Sequence, residues 1–491
     1  MNVIIIGSGF SSLASACYMA KAGHKVLVLE KNEQIGGRAS MLEIEGFHFD
    51  MGPSWYWMPD VFEKFFSDFG KKVTDYYHLE KLSPAYRVYF GEQDYIDIED
   101  EPEKIIQTFE NIETGSGKHL RNFLKKSEAN YKIAMQDVVY NPGKSLLELV
   151  SWDTAIRLPL FVQNISQSVR KNIKNSKLRS ILEFPVLFLG AKPSDTPAFY
   201  NFMNFADFGM GTWYPKGGFN AVAKGIFNLA KELGVEFVIE EEVKKLQTEN
   251  GVVTNVITSK NSYKADIVIS GADYAHTEKL LKQEEKNYSE NYWQKKTFAP
   301  SSFLYYVAFD KKIKSALHHN LFFDTDFEAH AEEIYDHPKL PKAPLFYANF
   351  SGKTDDTLAP EGKDVGFFLI PVAVDLVDSP EIHDEYFEKI LERFEKNTGE
   401  NLRNSIIFKK SFGVQDFKDR YNSCRGNAYG LANTLLQTSI LRPQIDNKKI
   451  KNLFYTGQLT VPGPGVPPAL ISGKVVTDYI LKKIKANSFQ N

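Results

Sequence analysis

Apolar runs and small-residue stretches alternate closely at the start of the chain. Val3-Ile4-Ile5-Ile6 is β-branched with no polar interruption, the pattern of a strand buried on both faces. Gly7-Ser8-Gly9 turns the chain, the Ala- and Ser-rich stretch 11–22 predicts a helix stopped by Gly23, and Val26-Leu27-Val28-Leu29 predicts a second buried strand ending at Glu30. Helical periodicity follows over 61–70 and through much of 101–139 and 145–189, with strands predicted at 86–90 and 95–98. Gly217-Gly218 opens a helix that Gly234 stops, followed by strands at 235–239, 252–258 and 265–270 that close on Gly271-Ala272-Asp273. Residues 276–439 mix helices with strands at 302–309 and 365–372, and the C-terminus predicts a strand at 452–455, a Gly/Pro loop over 456–468 and a helix over 469–482.

Strand, glycine-rich turn and helix thus recur near both ends. The expected fold is α/β: one Rossmann-like domain built from discontinuous segments (1–78, 210–275 and 440–491) and a mixed α+β domain from 79–209 and 276–439.

Composition narrows the class. At 491 residues, 43% hydrophobic and 25% charged, the chain is a globular protein of two or three domains, which excludes disordered, collagenous and coiled-coil classes. A net charge of -3 gives no support to nucleic-acid binding. Cys17 and Cys424 alone can build neither a disulfide framework nor a thiolate zinc site, which suits a reducing cytosol. No apolar run is long enough to span a bilayer, and the N-terminal apolar stretch lacks a preceding Lys or Arg and is broken by Gly7-Ser8-Gly9, so no targeting segment is expected. Aromatic content is high at 13%, with 37 Phe and 24 Tyr, which fits an aromatic core or a large apolar ligand.

Gly7 and Gly9 after a strand allow a tight turn that aims helix amides at a pyrophosphate, and Glu30 fits the acid that accepts a hydrogen bond from a ribose hydroxyl. The fingerprint's usual third glycine is Ser12 here, small enough for close strand–helix packing. Gly36-Gly37-Arg38, six residues after Glu30, resembles the flavin amine-oxidase and carotenoid-desaturase superfamily. The stretch Gly46-Phe47-His48-Phe49-Asp50-Met51-Gly52-Pro53-Ser54, the element Trp213-Tyr214-Pro215-Lys216-Gly217-Gly218, and Tyr455-Thr456-Gly457 followed by Pro462-Gly463-Pro464-Gly465-Val466-Pro467 are similar to the matching elements of bacterial phytoene desaturases, in order and at matching separations.

The resemblance implies an FAD-dependent oxidoreductase of carotenoid biosynthesis acting on a linear C40 polyene, either phytoene or a later intermediate of γ-carotene type. It implies that Gly7, Gly9, Phe10 and Ser11 meet the FAD diphosphate, Glu30 the adenosine ribose, and Gly37 and Arg38 the diphosphate–ribitol region. Pro53, Ser54 and Trp55 then approach the flavin ring, Val243 meets the adenine through its backbone, and Gly457, Val466, Pro467, Pro468 and Ala469 lie near the ribitol and pyrimidine. It implies a quinone or oxygen as electron acceptor. An FAD amine oxidase and a non-catalytic prenyl-lipid escort protein of the same fold are the rival readings.

The residues themselves agree with flavin chemistry. No metal-ligand set is visible, and His318-His319 reads as a loop pair. No nucleophile elbow occurs. Removing hydride from a polyene leaves a delocalised cation whose vicinal proton needs only a weak base. Asp50, Asp207 and Asp416 are the candidates, each also open to a purely structural role. Trp55-Tyr56-Trp57, Phe199-Tyr200, Phe202, Phe205, Phe208 and Tyr305-Tyr306 are expected to line an apolar tunnel or pack the core. Arg157, Arg170, Lys171, Lys174, Lys177 and Arg179 interleave with apolar residues and no acid, which predicts a helical part lying on an anionic membrane surface. The expected location is cytoplasmic and peripheral to the membrane.

Overall fold

The computed structural model describes residues 1–145, 148, 160 and 163–486. Its first sheet is parallel and five-stranded, in the order Leu453–Tyr455, Ile267–Ser270, Asn2–Ile6, Lys25–Leu29, Glu236–Val238. The strands come from three widely separated stretches of chain. The central strand is buried on both faces, as its β-branched run requires. Val3 and Ile5 join the helix-side core, while Ile4 and Ile6 join a smaller core under the antiparallel strands Val243–Glu249, Val252–Thr258 and Ser262–Lys264.

The first helix, Phe10–Lys21, packs on this sheet between Gly218–Glu232 and Val466–Lys485. Its approach is close enough to exclude a Cβ at its neighbours. A methyl group on Gly473 would sit 2.5 Å from the Ser11 carbonyl oxygen and 2.7 Å from Ala14 Cβ, and one on Gly271 would sit 2.0 Å from Ser12 Oγ. The space the usual third glycine provides on the helix is therefore provided by Gly271 on the strand side, which lets Ser12 be fully buried.

The second sheet has seven strands, in the order Ile406–Phe412, Ser301–Phe309, Asp364–Val372, Phe346–Asn349, His319–Phe322, Tyr86–Gly91, Asp94–Ile98. Alternation along its longest strand sends Phe303, Tyr305, Val307 and Phe309 towards the helix Pro380–Thr398, while Leu304, Tyr306 and Ala308 face the core shared with the first sheet. Tyr305 and Tyr306 thus part company. Tyr305 donates to the His383 carbonyl at 2.9 Å in the far core, so it lines no tunnel, and Tyr306 donates to the Met51 carbonyl at 2.9 Å.

Three local expectations need correction. The C-terminal helix begins at Val466, not Ala469, because Pro467 and Pro468 occupy its first turn, where a missing N–H costs nothing. No strand is expected between 239 and 252, yet Val243 opens one, Val243–Glu249, in the antiparallel sheet. The helical stretch 101–139 breaks at Gly115, whose φ of 87° ends one helix and starts the next. Gly473→Ala should destabilise the protein by about 1–3 kcal/mol, since the obstructing atoms are backbone and cannot swing aside. Thermal unfolding of the variant checks this, and an unchanged midpoint would show that the helices can spread.

Candidate functional site

The first part of the site is built at the tip of Lys25–Leu29. Glu30 is 5% exposed, and its carboxylate is held by the Ser8 amide (2.8 Å), the Ser8 hydroxyl (2.7 Å) and the Asn32 amide (2.9 Å). The Glu241 amide donates to the Glu30 carbonyl at 2.9 Å, which draws the stretch leading to Val243 against it. Gly7 and Glu30 therefore lie together at the carboxyl ends of two adjacent interior strands, with the stretch leading to Val243 beside Glu30.

The next cradle is formed by glycine and arginine. Gly9 precedes the first helix without a side-chain cap, and no atom lies within 4 Å of where its Cβ would be. The first-turn amides of Phe10 and Ser11 have no intrahelical acceptors and favour an anion. Gly37, at φ 59°, packs against Gly9, where a Cβ would meet Gly9 Cα at 3.3 Å. Arg38 lies partly buried beside them. Its Nη2 donates to Ser423 Oγ (3.3 Å) and the Asn427 carbonyl (3.2 Å), and the guanidinium lies over the Tyr421 ring at 5.1 Å. Arg38 Nε has no partner, and no carboxylate pairs with this cation among the described residues. Burial pulls its pKa below the ordinary guanidinium value. A partly buried cation with no directly ion-paired carboxylate among the described residues, beside a helix N-terminus, fits a diphosphate.

Gly457, at φ 106°, comes within 3.1 Å of Ser11 Oγ measured from a notional Cβ, which brings the C-terminal loop onto the same helix end. The turn Val466–Ala469 follows, where Val466 carries the only backbone N–H of the first three helix positions. Arg442, which no sequence pattern singled out, pins this loop from beneath. Buried to 2% exposure, it donates to the carbonyls of Thr460 (2.8 Å), Gln458 (2.8 Å), Gln437 (3.0 Å) and Leu431 (3.3 Å).

Past this cradle the walls turn aromatic. Ser54 Oγ accepts from the Tyr347 hydroxyl at 3.1 Å. Trp55 stacks on His319 at 4.1 Å and 10°, and meets Tyr86 at 5.2 Å and Phe184 at 5.6 Å. His318 and His319 are not a loop pair: both are buried, and His319 opens a central strand. Burial drives His318 down to about 3 and His319 well below the usual imidazole value, so both stay neutral. His319 Nδ1 bonds Tyr347 Oη at 2.6 Å, while its Nε2 has no partner among the described residues. Among those residues no group of His, Cys, Asp and Glu is placed to hold a metal.

The three aspartates separate. Asp50 accepts from the amides of Phe219 (2.8 Å) and Asn220 (3.2 Å), capping Gly218–Glu232, and burial raises it to about 7. Asp416 accepts from the Gly413 amide at 2.7 Å and caps Val414–Tyr421. Asp207 is 2% exposed and accepts from Tyr86 Oη at 2.7 Å, its second oxygen has no partner among the described residues, and burial raises it to about 8. Of the basic stretch, Arg157 lies outside the described residues. Arg170 pairs with Glu183 at 2.9 Å and also with Glu328, and Lys177 pairs with Asp94 at 2.6 Å, so much of its charge is spent within the protein.

The fold and this cradle define a flavin oxidoreductase. Residues 10–481 match the family of flavin containing amine oxidoreductases. The whole chain also superimposes on an oxidoreductase from Methanosarcina mazei (TM-score 0.63, 18% identity, 98% of this chain and 100% of that one) and on a redesigned putrescine oxidase (TM-score 0.64, 12% identity, 98% and 99%). Among sequences, it is 41% identical over 488 residues to the carotenoid 3,4-desaturase of Haloarcula japonica, covering 98% of each chain. It is 30% identical over 491 residues to the zeta-carotene-forming phytoene desaturase of Myxococcus xanthus, covering 98% of this chain and 94% of that one. The chain belongs to the carotenoid desaturase family within the flavin amine oxidase superfamily, and is an FAD-dependent oxidoreductase.

Glu30→Arg should lower FAD affinity roughly tenfold to over a hundredfold, the worth of one charge-assisted hydrogen bond. Flavin retained per chain after dialysis measures it, and full retention would move the ribose contact elsewhere. Folded Asp207 keeps its proton to about pH 8, whereas an unfolded aspartate releases it near 3.9. The folded state therefore binds more protons across that window, and stability falls as pH rises through it. Asp207→Asn should flatten that slope in denaturant titrations at pH 5 and pH 8.

Proposed function

We propose that the protein is a carotenoid desaturase that introduces a double bond into the linear end of a C40 carotene. The single observation that carries this reading is full-length 41% identity to a carotenoid 3,4-desaturase, which favours a later intermediate of γ-carotene type over phytoene. The site residues are those brought together above: Glu30 for the ribose, the Gly9–Ser11 turn and Arg38 for the diphosphate, and Ser54, Trp55, Gly457 and Val466 around the ring. The segments 1–78, 210–275 and 440–491 form the cofactor domain, and the remainder holds the substrate.

When bound, the flavin supplies a two-electron hydride acceptor. The chain's own work is to orient and to exclude water. A polyene offers no hydrogen-bonding handle, so it is positioned by shape, and the wall of Trp55, Tyr86 and Phe184 is suited to that. Neutral His318 and His319 place no positive charge beside a cationic polyene. Asp207, the aspartate left free of helix capping, adds no charge either, because it keeps its proton at neutral pH and is bonded to Tyr86. A substrate of this kind resides in the bilayer. The protein then works at an anionic membrane surface from the cytoplasmic side and passes electrons to a quinone or oxygen. No helix among the described residues is long and apolar enough to cross a membrane, so the association is peripheral.

Incubation of the flavin-loaded protein with a panel of carotenes in liposomes, followed by chromatography, tests the reading. A product two hydrogens lighter from a monocyclic or hydroxylated carotene is expected. Turnover of primary amines with peroxide release would instead establish an amine oxidase, and a protein that binds carotene without flavin or product would be an escort protein.

A further inference from the structure

Leu435 is 47% exposed, Leu436 74% and Leu441 47%. No other stretch of eight described residues presents three large apolar side chains to water; the remaining exposed ones are scattered singly. The loop that carries them, 434–441, is two short turns anchored by polar groups that point inward. Gln437, 6% exposed, donates to the carbonyls of Thr297 (2.8 Å) and Ala432 (3.2 Å) and accepts from the Thr297 amide (3.0 Å), while buried Arg442 holds the Gln437 carbonyl at 3.0 Å. An amide faces in and leucines face out, the reverse of an ordinary soluble loop. The anchoring keeps the leucines from folding back, so the surface is built to be covered.

We infer that this loop is where the protein docks on an anionic lipid bilayer, an inference that rests on the proposed membrane-resident substrate. The charge beside it fits headgroups. The segment 434–442 contains no acid, and Lys295 and Lys296 adjoin Thr297, to which the loop is bonded, with neither lysine ion-paired among the described residues. Lys296 Nζ sits 4.8 Å over the ring of Tyr292, an aromatic–lysine pairing suited to the membrane interface. The loop is also joined to the aromatic cluster around Trp55. The Asn433 amide donates to the Leu189 carbonyl at 3.1 Å, and the turn Phe184–Leu189 begins at the ring that packs on Trp55. Docking here, rather than through the stretch ending at Arg179, leaves the ion pairs of Arg170 and Lys177 undisturbed.

The test is co-sedimentation of flavin-loaded protein with phosphatidylglycerol/phosphatidylcholine vesicles. Leu435→Ser/Leu436→Ser/Leu441→Ser should weaken partitioning roughly a hundredfold or more at low and high salt alike, as expected for lost apolar burial. Lys295→Glu/Lys296→Glu should weaken it at low salt by about tenfold or more, with the loss shrinking at high salt. Flavin content and melting temperature should stay at wild-type values in both. As a check independent of those variants, Leu436→Cys in a Cys424→Ser background, labelled with a polarity-sensitive dye, should shift its emission to the blue when vesicles are added. Wild type that ignores the vesicles would overturn both this inference and the membrane reading. Equal binding by wild type and the serine variant, or no dye shift, would overturn the surface while leaving that reading intact. Loss of a dimer in light scattering with vesicle binding retained would mark the loop as a contact between two copies of this chain, and would also overturn it.

Discussion

The helix Phe10–Lys21 lies so close to its neighbours that Gly271 and Gly473 have no room for a methyl group and Gly37 sits directly on Gly9. Each contact sets one boundary of the cofactor cradle. Gly473 lets the C-terminal helix lie along the first, which carries Gly457 and Val466 to its N-terminal end. Gly37 lets the loop after Glu30 fold over Gly9, which delivers Arg38. Gly271 lets the strand ending at Ser270 keep its place beside Asn2–Ile6 although Ser12 occupies the helix face. A spread of even one ångström would part the helix amides from the arginine, and the cradle would lose its paired donors and charge.

The two halves of the site hold their occupants by opposite physics. At the glycine-rich end the chain leaves donors unspent among the described residues, an arginine Nε without a partner and a helix end without a side-chain cap, next to a glutamate oriented by Ser8 and Asn32. At the aromatic end it removes charge. Two imidazoles are held neutral by burial, an aspartate keeps its proton at neutral pH, and Trp55, Tyr86 and Phe184 form the wall. Ser54 and Trp55 lie beside His319 and Tyr347 at the start of the aromatic part.

The cofactor end was legible in sequence because its signals are local. A β-branched run, two glycines, a second strand and Glu30 lie within the first 30 residues, and Gly36-Gly37-Arg38 follows at once. The substrate end was not. Trp55 meets His319 and Phe184 only through sheet pairing and loop return, and a two-histidine pair in sequence looks the same whether it lies in a surface loop or opens a buried strand. Alternation along Ser301–Phe309 already implied that Tyr305 and Tyr306 face opposite ways, but which face met the site depended on where the helix Pro380–Thr398 packs.

The sequence by itself determined the strand–helix–strand unit, the discontinuous parallel sheet and the glycine turns around the first helix, because these follow from backbone freedom and hydrophobic period over a few consecutive residues. Only the tertiary structure decided that Asp50 and Asp416 cap helices while Asp207 does not, that Arg170 and Lys177 are spent on Glu183 and Asp94, and that Leu435, Leu436 and Leu441 are left facing water. Whether a charge is free, or a leucine covered, depends on what distant parts of the chain bring to within a few ångströms of it, and neither composition nor spacing carries that distance.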